Sequence, residues 1–423
     1  MIRIRALLVG LGLAAVPSVV WAAGPYAPDP SYQANKIVRS AEFENGAIYL
    51  GGEFTSMRPA GAALGTNEVT RNHAAAIDAD TGALLSWNPD VNGRVYSVLA
   101  IGNTVYLGGK FTTVGGVARK NLAAVDATTG AVKSWAPKAA GAVRVIVQGP
   151  NGNLFVGGSF GRVDGKQRKK IAEITPSGDV TPWTVTVGQV SGFACPPRCN
   201  PVVFTIDFST NGQTVYFGGH FGLVNGQTRR EAAAVSIDNG SIVRPWDPDI
   251  YADANCNICT TNETSRVYHM IITQDKAYMC GGFWKVWHGT RRGYNVLVTN
   301  LDDGKPDSVF AAGTDGDTTG CELRNDVLYV GGHFNYVGQK CSQNPIGGAR
   351  KCDAENSTTR HHAAAFDART GEVLPWNPTA NSNHGIWSIV AGPNGQMAFT
   401  GRFTKMGKTP QQMIAKYSAA QLS

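Results

Sequence analysis

The sequence is poor in charged residues, and it lacks the phosphate-binding and dinucleotide-binding motifs that identify many enzymes. Asp, Glu, Lys and Arg make up 16% of the 423 residues. The longest basic run is Arg168-Lys169-Lys170, which is typical of a solvated turn, so we predict no nucleic-acid partner. No Walker loop and no dinucleotide fingerprint occurs. No pair of histidines has metal-ligand spacing with a third ligand in view. We therefore predict no metal site and no cofactor, and leave a structural metal ion open.

Long apolar stretches are absent after the first 22 residues. Residues 6–20 are apolar and follow Arg3 and Arg5, and Ala22 supplies a small residue at a cleavage position. This pattern predicts a secretory signal peptide over residues 1–22 and a single mature domain over 23–423. The apolar run is short for a bilayer span. We therefore expect a secreted, extracellular protein whose mature chain has no membrane span.

One short pattern recurs along the mature chain. A strand-like apolar stretch is followed by two glycines, a variable residue and Phe. In the fifth copy Trp stands in the place of Phe, and in the last copy Thr replaces the first glycine. Because a fixed internal period redefines the fold, this repeat is the main structural evidence in the sequence. The seven copies are Gly51-Gly52-Glu53-Phe54, Gly108-Gly109-Lys110-Phe111, Gly157-Gly158-Ser159-Phe160, Gly218-Gly219-His220-Phe221, Gly281-Gly282-Phe283-Trp284, Gly331-Gly332-His333-Phe334 and Thr400-Gly401-Arg402-Phe403.

The second copy illustrates the layout of one repeat. Residues 95–101, 105–112, 122–126 and 132–135 read as four short strands, and residues 114–121 read as a glycine-rich loop. Seven such four-stranded antiparallel sheets predict an all-β, seven-bladed β-propeller. Tyr26-Ala27-Pro28-Asp29 resembles Trp87-Asn88-Pro89-Asp90 at the end of the first repeat. We therefore expect the N-terminal segment to supply the outer strand of the last blade and close the ring.

Residues that recur at one position in several repeats are predicted to serve the scaffold. Arginines recur before the third strand, and each is expected to donate to a loop carbonyl between blades. Tryptophans recur near proline and are expected to pack rather than to bind sugar. Aspartates that open Asp-x-x-Thr-Gly turns are expected to cap backbone N–H groups. These residues are Arg71, Arg119, Arg168, Arg229, Arg292 and Arg360; Trp87, Trp135, Trp183, Trp246 and Trp376; and Asp78, Asp126 and Asp367.

Departures from the repeat are predicted to collect on one face. The loop between strands two and three and the link to the next blade share this side, which we call the upper face. Its insertions are residues 55–73, 184–201, 247–266, 311–319 and 335–362, whereas the opposite turns stay short. A decorated face on a rigid ring is typical of the place where a scaffold carries function.

The eight cysteines predict disulfides, because the count is even in a chain expected to be exported. Proximity in sequence favours Cys195 with Cys199 and Cys341 with Cys352. Cys280 and Cys321 lie in predicted strands of neighbouring blades and are expected to bridge them. Cys256 and Cys259 form a C-x-x-C pair. A zinc site formed by the thiolates of Cys195, Cys199, Cys256 and Cys259 is an alternative that we rank below structural disulfides.

The second position of each predicted first strand lies near the upper mouth of the central channel. These positions mix aromatic rings with guanidinium groups, which suits a sugar or an anionic ligand. The alternative is that the side chains wedge between blades. The seven positions are Arg39, Tyr96, Arg144, Phe204, Tyr268, Thr319 and Trp387, with Glu42, Asp207 and Glu322 near one level deeper in the strands. The predicted ligand-binding residues are Arg94, Tyr96, Arg144, Tyr268, His269, His384 and Trp387.

The unit VYLGGKFTTVGG…LAAVDATTG, over residues 105–116 and 122–130, resembles a family of secreted bacterial β-propellers common in actinobacteria. Most members have no characterised function. The unit is also similar to the propeller region of fungal cortical polarity markers. The resemblance implies the propeller fold and carries over no catalytic residues.

Three functions fit the sequence. The first is a secreted, monomeric binding module that recognises an extracellular glycan or protein with its upper face. The second is an extracellular lyase or hydrolase acting on a polysaccharide, in which His269, His384, Tyr268 and Arg144 would carry acid–base chemistry. The third is a structural envelope protein. The sequence favours the first without deciding whether the protein is an enzyme.

Overall fold

The computed structural model describes residues 26–189, 200–242, 246–250, 265–283, 285–286, 291–292, 294–338, 341–342, 351–352, 357–382 and 384–422. These residues form an all-β structure with one short 3-10 helix at Ala419–Gln421. In this part of the chain, no helix has the length and apolar character needed to cross a bilayer. The cysteines at 195, 199, 256 and 259 lie outside the described residues.

Seven antiparallel sheets of three strands each follow one another along the chain, with the second strand in the middle. We number them 1 to 7. Their strands are Val38–Glu44, Ala47–Gly52 and Ala74–Asp78 in sheet 1; Arg94–Ile101, Thr104–Lys110 and Leu122–Asp126 in sheet 2; Val143–Gln148, Leu154–Gly158 and Ile171–Ile174 in sheet 3; Val202–Phe208, Thr214–His220 and Ala232–Ser236 in sheet 4; Arg266–Ile272, Lys276–Gly282 and Val296–Asn300 in sheet 5; Thr318–Arg324, Val327–Gly332 and Ala363–Asp367 in sheet 6; and Ile386–Ala391, Met397–Gly401 and Ile414–Tyr417 in sheet 7.

A fourth segment joins the outer edge of each sheet by a single β-bridge rather than by a full strand. In sheet 2 the bridge pairs Val125 with Val132. In sheet 7 the partner is the N-terminal segment, because Asp29 forms an antiparallel bridge with Lys416 and its N–H donates to the Lys416 carbonyl at 2.8 Å. The first strands of consecutive sheets contact one another, and the first strand of sheet 7 contacts that of sheet 1.

The connection between the second and third strands is not the irregular loop expected from the sequence. It forms a small β-ribbon, which in several repeats pairs with the preceding link. The ribbon strands are Gln33–Ala34, Ser56–Arg58 and Val69–Thr70; Thr113–Val114 and Val117–Ala118; Arg162–Val163 and Lys166–Gln167; Val187–Gly188, Leu223–Val224 and Gln227–Thr228; Lys285–Val286 and Arg291–Arg292; Gly313–Thr314, Tyr336–Gly338, Cys341–Ser342, Lys351–Cys352 and Ser357–Thr359; and Lys405–Met406 and Thr409–Pro410. The backbones of Cys341 and Cys352 are cross-strand partners, and their side chains lie outside the described part.

The paired glycines allow a close approach of backbones. A Cβ atom on Gly51 would lie 2.6 Å from Cγ1 of Val95 and 2.8 Å from Cγ2 of Val98, both in sheet 2. On Gly52 it would lie 2.3 Å from the Ile37 carbonyl oxygen of its own sheet. Real Cβ atoms do not approach so closely, so these two positions require glycine. The first glycine therefore sets the spacing between neighbouring sheets.

Our sequence reading of the fifth copy is wrong by one residue. Val267 pairs with Gly281, just as Val95 pairs with Gly109 in sheet 2, so Gly281 is the second glycine and Cys280 takes the place of the first. The misreading arose because the variable position is itself a glycine, Gly282. Cys280 forms a disulfide with Cys321 of sheet 6, which confirms that predicted pair. A covalent bond thus stands where other sheets place a glycine against an aliphatic side chain.

The repeated tryptophans are packing residues, as predicted. Trp87 is 2% exposed, and its ring meets Tyr49 edge to face at 5.1 Å. Its indole N–H donates to the Asp126 carbonyl of sheet 2 at 2.9 Å, so it also joins neighbouring sheets. The same edge-to-face pairing recurs at Trp135, Trp183, Trp246 and Trp376.

The repeated arginines bind backbone carbonyls, but within one repeat rather than between blades. Arg71 donates to the Leu85 carbonyl at 2.9 Å, and Arg119 donates to the Lys133 carbonyl at 2.7 Å. Each carbonyl belongs to the outer segment of the same sheet, so the prediction of a bond between blades is wrong. The side chain of Arg292 lies outside the described part. The turn prediction is confirmed: the Asp78 carboxylate accepts the Thr81 N–H at 2.7 Å.

Exchange of Gly51 for Thr should destabilise the fold by about 1–3 kcal/mol, the usual cost of overpacking. Sheets 7 and 1 hold the compensated version, with Thr400 in the glycine position and Ala41 at the register of Val98. Adding Val98→Ala should therefore recover part of the loss. Urea unfolding of the two single variants and the double variant measures the coupling. Strictly additive losses would contradict this account of sheet spacing.

Candidate functional site

Every first strand carries a β-bulge at the same register. In sheet 1, pairing with the second strand shifts between Val38 and Ser40 and leaves Arg39 unpaired. We call the seven bulged residues the belt. They coincide with the second positions predicted from the sequence, although the sequence did not indicate a bulge. The belt is Arg39, Tyr96, Arg144, Phe204, Tyr268, Thr319 and Trp387.

The spacing of the core residues explains the bulge. Val95 and Val98 both face Gly51 of the preceding sheet although they are three positions apart. Residues on one face of a regular strand are two positions apart. The strand must therefore contain one extra residue, and the pairing shift places it at Tyr96. A bulge re-aims local side chains, and belt residues of neighbouring sheets indeed contact each other.

One part of the belt is an ion-pair cluster. The Arg39 guanidinium lies over the Trp387 ring, with Cζ 4.2 Å from the centroid. Its Nε and Nη2 donate to Glu53 Oε1 at 3.1 and 2.6 Å. The second carboxylate oxygen of Glu53 lies 3.5 Å from Arg94 Nε. A hydrogen bond to Tyr96 and, next, the charge of Glu53 raise the pKa of Arg94. Predicted residues Arg94 and Trp387 therefore belong to one cluster.

Arg144 and Tyr96 form the next part. Arg144 Cζ lies 4.0 Å from the centroid of the Tyr96 ring, an arrangement that a guanidinium favours. Burial is the main cause that lowers the pKa of Arg144. The charges of Arg39 and Arg94 lower it further, whereas those of Tyr96 and Glu53 raise it. Its Nε is buried and has no hydrogen-bond partner among the described residues.

The opposite part of the belt is aromatic. The rings of Phe204 and Tyr268 lie 5.4 Å apart, and both side chains are partly exposed. The Tyr268 hydroxyl accepts a hydrogen bond from Arg266 Nη1 at 3.0 Å. Thr319 donates its hydroxyl proton to the Ile386 carbonyl of sheet 7. The belt thus has guanidinium groups around Arg144 and open rings around Phe204.

The structure places His269 between sheets rather than in the mouth. Its register holds Ser97 in sheet 2 and Thr205 in sheet 4, whose hydroxyls accept N–H groups of the next sheet at 3.0 and 3.2 Å. His269 Nδ1 lies 3.6 Å from Cys321 Sγ of sheet 6. Although the ring keeps some accessible surface, the surrounding protein lowers its pKa to about 4 by desolvation. His269 is therefore neutral near pH 7 and occupies the position foreseen by the wedge alternative.

His384 lies at the surface beside Arg402. Arg402 Nη1 is 3.2 Å from its Nδ1 and 3.3 Å from its Nε2. Partial burial first and the Arg402 charge second lower the pKa of His384. Among the contacts of the described residues, neither His269 nor His384 meets a carboxylate. The four residues proposed for acid–base chemistry are thus divided among separate contacts.

A buried polar group that the sequence did not indicate joins sheets 4 and 5. His220 Nδ1 lies 3.5 Å from Glu231 Oε1 and 3.1 Å from the Ser265 carbonyl oxygen. Burial lowers the pKa of His220, but the hydrogen bond and charge of Glu231 outweigh burial and raise it overall. Glu231 has a positive φ of 64°, as Asn121 has in sheet 2. Because other repeats have Asn at that register, the substitution by Glu231 was the signal in the sequence that could have revealed this contact. The side chains of His220, Glu231 and Ser265 are all buried, which favours a structural role.

Carboxyl groups occupy one level deeper in the first strands, three residues after the belt. Burial first, and then Glu44 and Glu322, raise the pKa of Glu42 to about 8. Burial is also the main cause that raises the pKa of Glu322 to about 7. The charge of Asp207 also raises the pKa of Glu322. The strand pairings place Glu42, Asp207 and Glu322 at the same register of their sheets. The inner surface below the belt therefore carries carboxyl groups that hold protons more tightly than usual.

Neither a nucleophile elbow nor a metal cluster is found among the described residues. The run Gly157-Gly158-Ser159-Phe160-Gly161 matches a nucleophile-elbow pattern in its letters. The elbow requires a strand-to-helix turn, whereas this strand leads into a β-ribbon, and Ser159 Oγ donates to the Ala142 carbonyl at 3.5 Å. Across the described ranges, no group of three or more His, Cys, Asp or Glu is arranged to hold a metal ion.

Comparisons with known proteins agree with the repeat. A family model described as "Domain of unknown function (DUF5122) beta-propeller" matches residues 149–180. No curated protein matches the chain. Two similar solved structures are the computationally designed Ika8 protein, at 11% identity over 93% of this chain and 99% of that chain with a TM-score of 0.48, and the WD40 beta propeller domain of Doa1, at 10% identity over 92% and 97% with a TM-score of 0.49. The family model and the repeated antiparallel sheets of the described residues indicate an all-β fold of the β-propeller type.

Glu42→Gln should stabilise the protein at pH 8 and have little effect at pH 4.5. The pKa of Glu42 is raised from 4.5 to about 8, so the native state binds more protons than the unfolded chain between these values. Stability therefore falls as pH rises through this window, by up to about 1.4 kcal/mol per pH unit, and glutamine removes the loss. Urea unfolding at both pH values measures the effect, with exposed Glu372→Gln as the control. A gain independent of pH would contradict burial of an ionisable Glu42.

Proposed function

We propose that the protein is an extracellular binding module in which the seven sheets close into a seven-bladed β-propeller. Each blade has four strands, and in the last blade the N-terminal segment supplies the outer one. The belt lies at the upper mouth of the central channel, and together with the upper-face loops it binds a glycan. The mature chain over residues 23–423 is one domain and acts as a monomer.

Contacts at the two ends of the chain support closure. The bridge between Asp29 and Lys416 is reinforced by an ion pair at 3.6 Å between the same side chains. Gln421 Nε2 donates to the Ala27 carbonyl at 2.8 Å. The contact between the first strands of sheets 7 and 1 repeats the contact between the other neighbours. Closure of such a ring leaves only the short outer edges of the sheets open to pairing with another chain.

The belt is the observation that carries the binding function. Around it, glycines, tryptophans and arginines repeat from sheet to sheet and hold the scaffold. The belt residues differ from sheet to sheet, yet an identical bulge places all of them at one register of the first strands, where neighbouring pairs contact each other. Bulges are common beside functional sites because they re-aim side chains. Partly buried aromatic rings with a few polar groups suit a saccharide unit better than a broad protein surface.

Two features support an extracellular location. Residues 1–22 have the charge and apolar pattern of a secretory signal peptide. The disulfide between Cys280 and Cys321 is the kind of bond that persists in oxidising compartments.

Binding of the mature protein to a glycan array tests the proposal. Phe204→Ala and Trp387→Ala should each weaken binding of the recognised glycans by roughly tenfold or more, because a central aromatic anchor contributes at least about 1.4 kcal/mol. Val117→Ala is the matched control, since Val117 lies on a peripheral ribbon and is 44% exposed. Thermal melts would establish that the variants are folded. Absence of any bound glycan, or equal binding by all variants, would refute this function.

A further inference from the structure

We infer that the ligand of the belt is an acidic saccharide whose carboxylate binds Arg144. The inference rests on the proposed function, because it names the ligand class of the same mouth. It depends on a charge imbalance, on an unpartnered guanidinium, and on the groups that surround the rest of the recess.

Positive charge exceeds negative charge on this side of the belt. Beyond burial, the charges of Arg39 and Arg94 lower the pKa of Arg144, and the carboxylate of Glu53 raises it by less than either does. One oxygen of Glu53 binds Arg39 at 2.6 Å, and the other lies 3.5 Å from Arg94. Both oxygens are therefore engaged elsewhere, and Arg144 has no carboxylate of its own.

Arg144 is held ready for an anion. Its contact with Tyr96 at 4.0 Å fixes the plane of the guanidinium. A desolvated charge without a hydrogen-bonded partner is costly to the fold. The buried Nε of Arg144 lacks a partner within the described part of the chain, as does Nε of the scaffold arginines Arg71 and Arg119. Arg144 differs from them at its Nη atoms, which form no hydrogen bond among the described residues, whereas those of Arg71 and Arg119 donate to backbone carbonyls. The rigid fork of a guanidinium matches the two oxygens of a carboxylate, so an incoming carboxylate would satisfy it.

The remaining surroundings favour a sugar acid over an acidic peptide. Phe204 and Tyr268 offer partly exposed ring faces on the other side of the belt, and such faces accommodate the apolar face of a pyranose. Below the belt, Glu42, Glu322 and Asp207 share one level. A carboxyl group that keeps its proton can donate a hydrogen bond to a sugar hydroxyl as well as accept one.

Oligogalacturonate and its methyl ester provide the test, because they differ only at the carboxyl group, which loses its negative charge and gains a methyl group in the ester. The unaltered mature protein should bind the acid at least about tenfold more tightly than the ester in calorimetry, a difference of about 1.4 kcal/mol. Arg144→Gln should abolish this preference, and Arg144→Lys should retain part of it because the charge stays while the fork is lost. Arg162→Gln is the control, because Arg162 is exposed on a ribbon of the same sheet and donates to the Gly165 carbonyl.

The outcomes separate the two proposals. Equal affinity for acid and ester in the unaltered protein overturns the acidic ligand, and it does so even if an Arg144 variant fails to fold. Retained preference in folded Arg144→Gln overturns the role of Arg144. If poly-glutamate binds more tightly than oligogalacturonate and its binding is lost in Arg144→Gln, the conclusion that the ligand is a saccharide is overturned. Binding of neutral glycans alone, with loss in Phe204→Ala, would overturn the inference and leave the proposed function standing.

Discussion

At five of the seven contacts between neighbouring sheets, the backbones approach so closely at one register that only a glycine fits without a shift of its neighbours. The two aliphatic residues that close the gap, such as Val95 and Val98 against Gly51, must then lie on one face of their strand. Their spacing of three positions forces an extra residue into the strand. That residue is the belt residue. The contact that holds the sheets together therefore also creates the belt positions, which we propose as the binding site.

Where the glycine is replaced, the facing side chain changes with it. Cys280 faces Cys321, and the pair is covalently bonded. Thr400 stands in the glycine position of sheet 7, and sheet 1 has the small Ala41 at the matching register. Because protein interiors are close-packed, a gain of volume on one side must be offset on the other. These pairs explain how one fold tolerates departures from its own repeat.

The repeat made much of the fold predictable. Short apolar stretches, paired glycines and Asp-x-x-Thr-Gly turns are local signals, and they located the sheets, the turns and the N-terminal partner of the last sheet. The sequence misled where two alignments of the repeat fit almost equally well. Gly281-Gly282 was assigned as the glycine pair, whereas the pairing of Val267 with Gly281 places Cys280 at the position of the first glycine. The sequence also identified the positions of the belt residues but not the bulge that creates them, because a bulge depends on the pairing between strands.

The chemistry of the candidate site was less predictable, because it depends on contacts between repeats. The sequence grouped His269 with Tyr268 as neighbours, whereas the strand turns them to different surroundings and sets His269 against a disulfide sulfur. The residues around Glu53 in the sequence do not reveal that its carboxylate pairs with both Arg39 and Arg94, or that Arg144 is left without a carboxylate partner.

The central claim is that the guanidinium of Arg144 binds the carboxylate of the ligand. A crystal structure of the protein with a bound oligogalacturonate tests it most directly. The account predicts a carboxylate within hydrogen-bond distance of Arg144 and a sugar ring beside Phe204 and Tyr268. A ligand bound elsewhere, with Arg144 paired to a protein carboxylate, would contradict it.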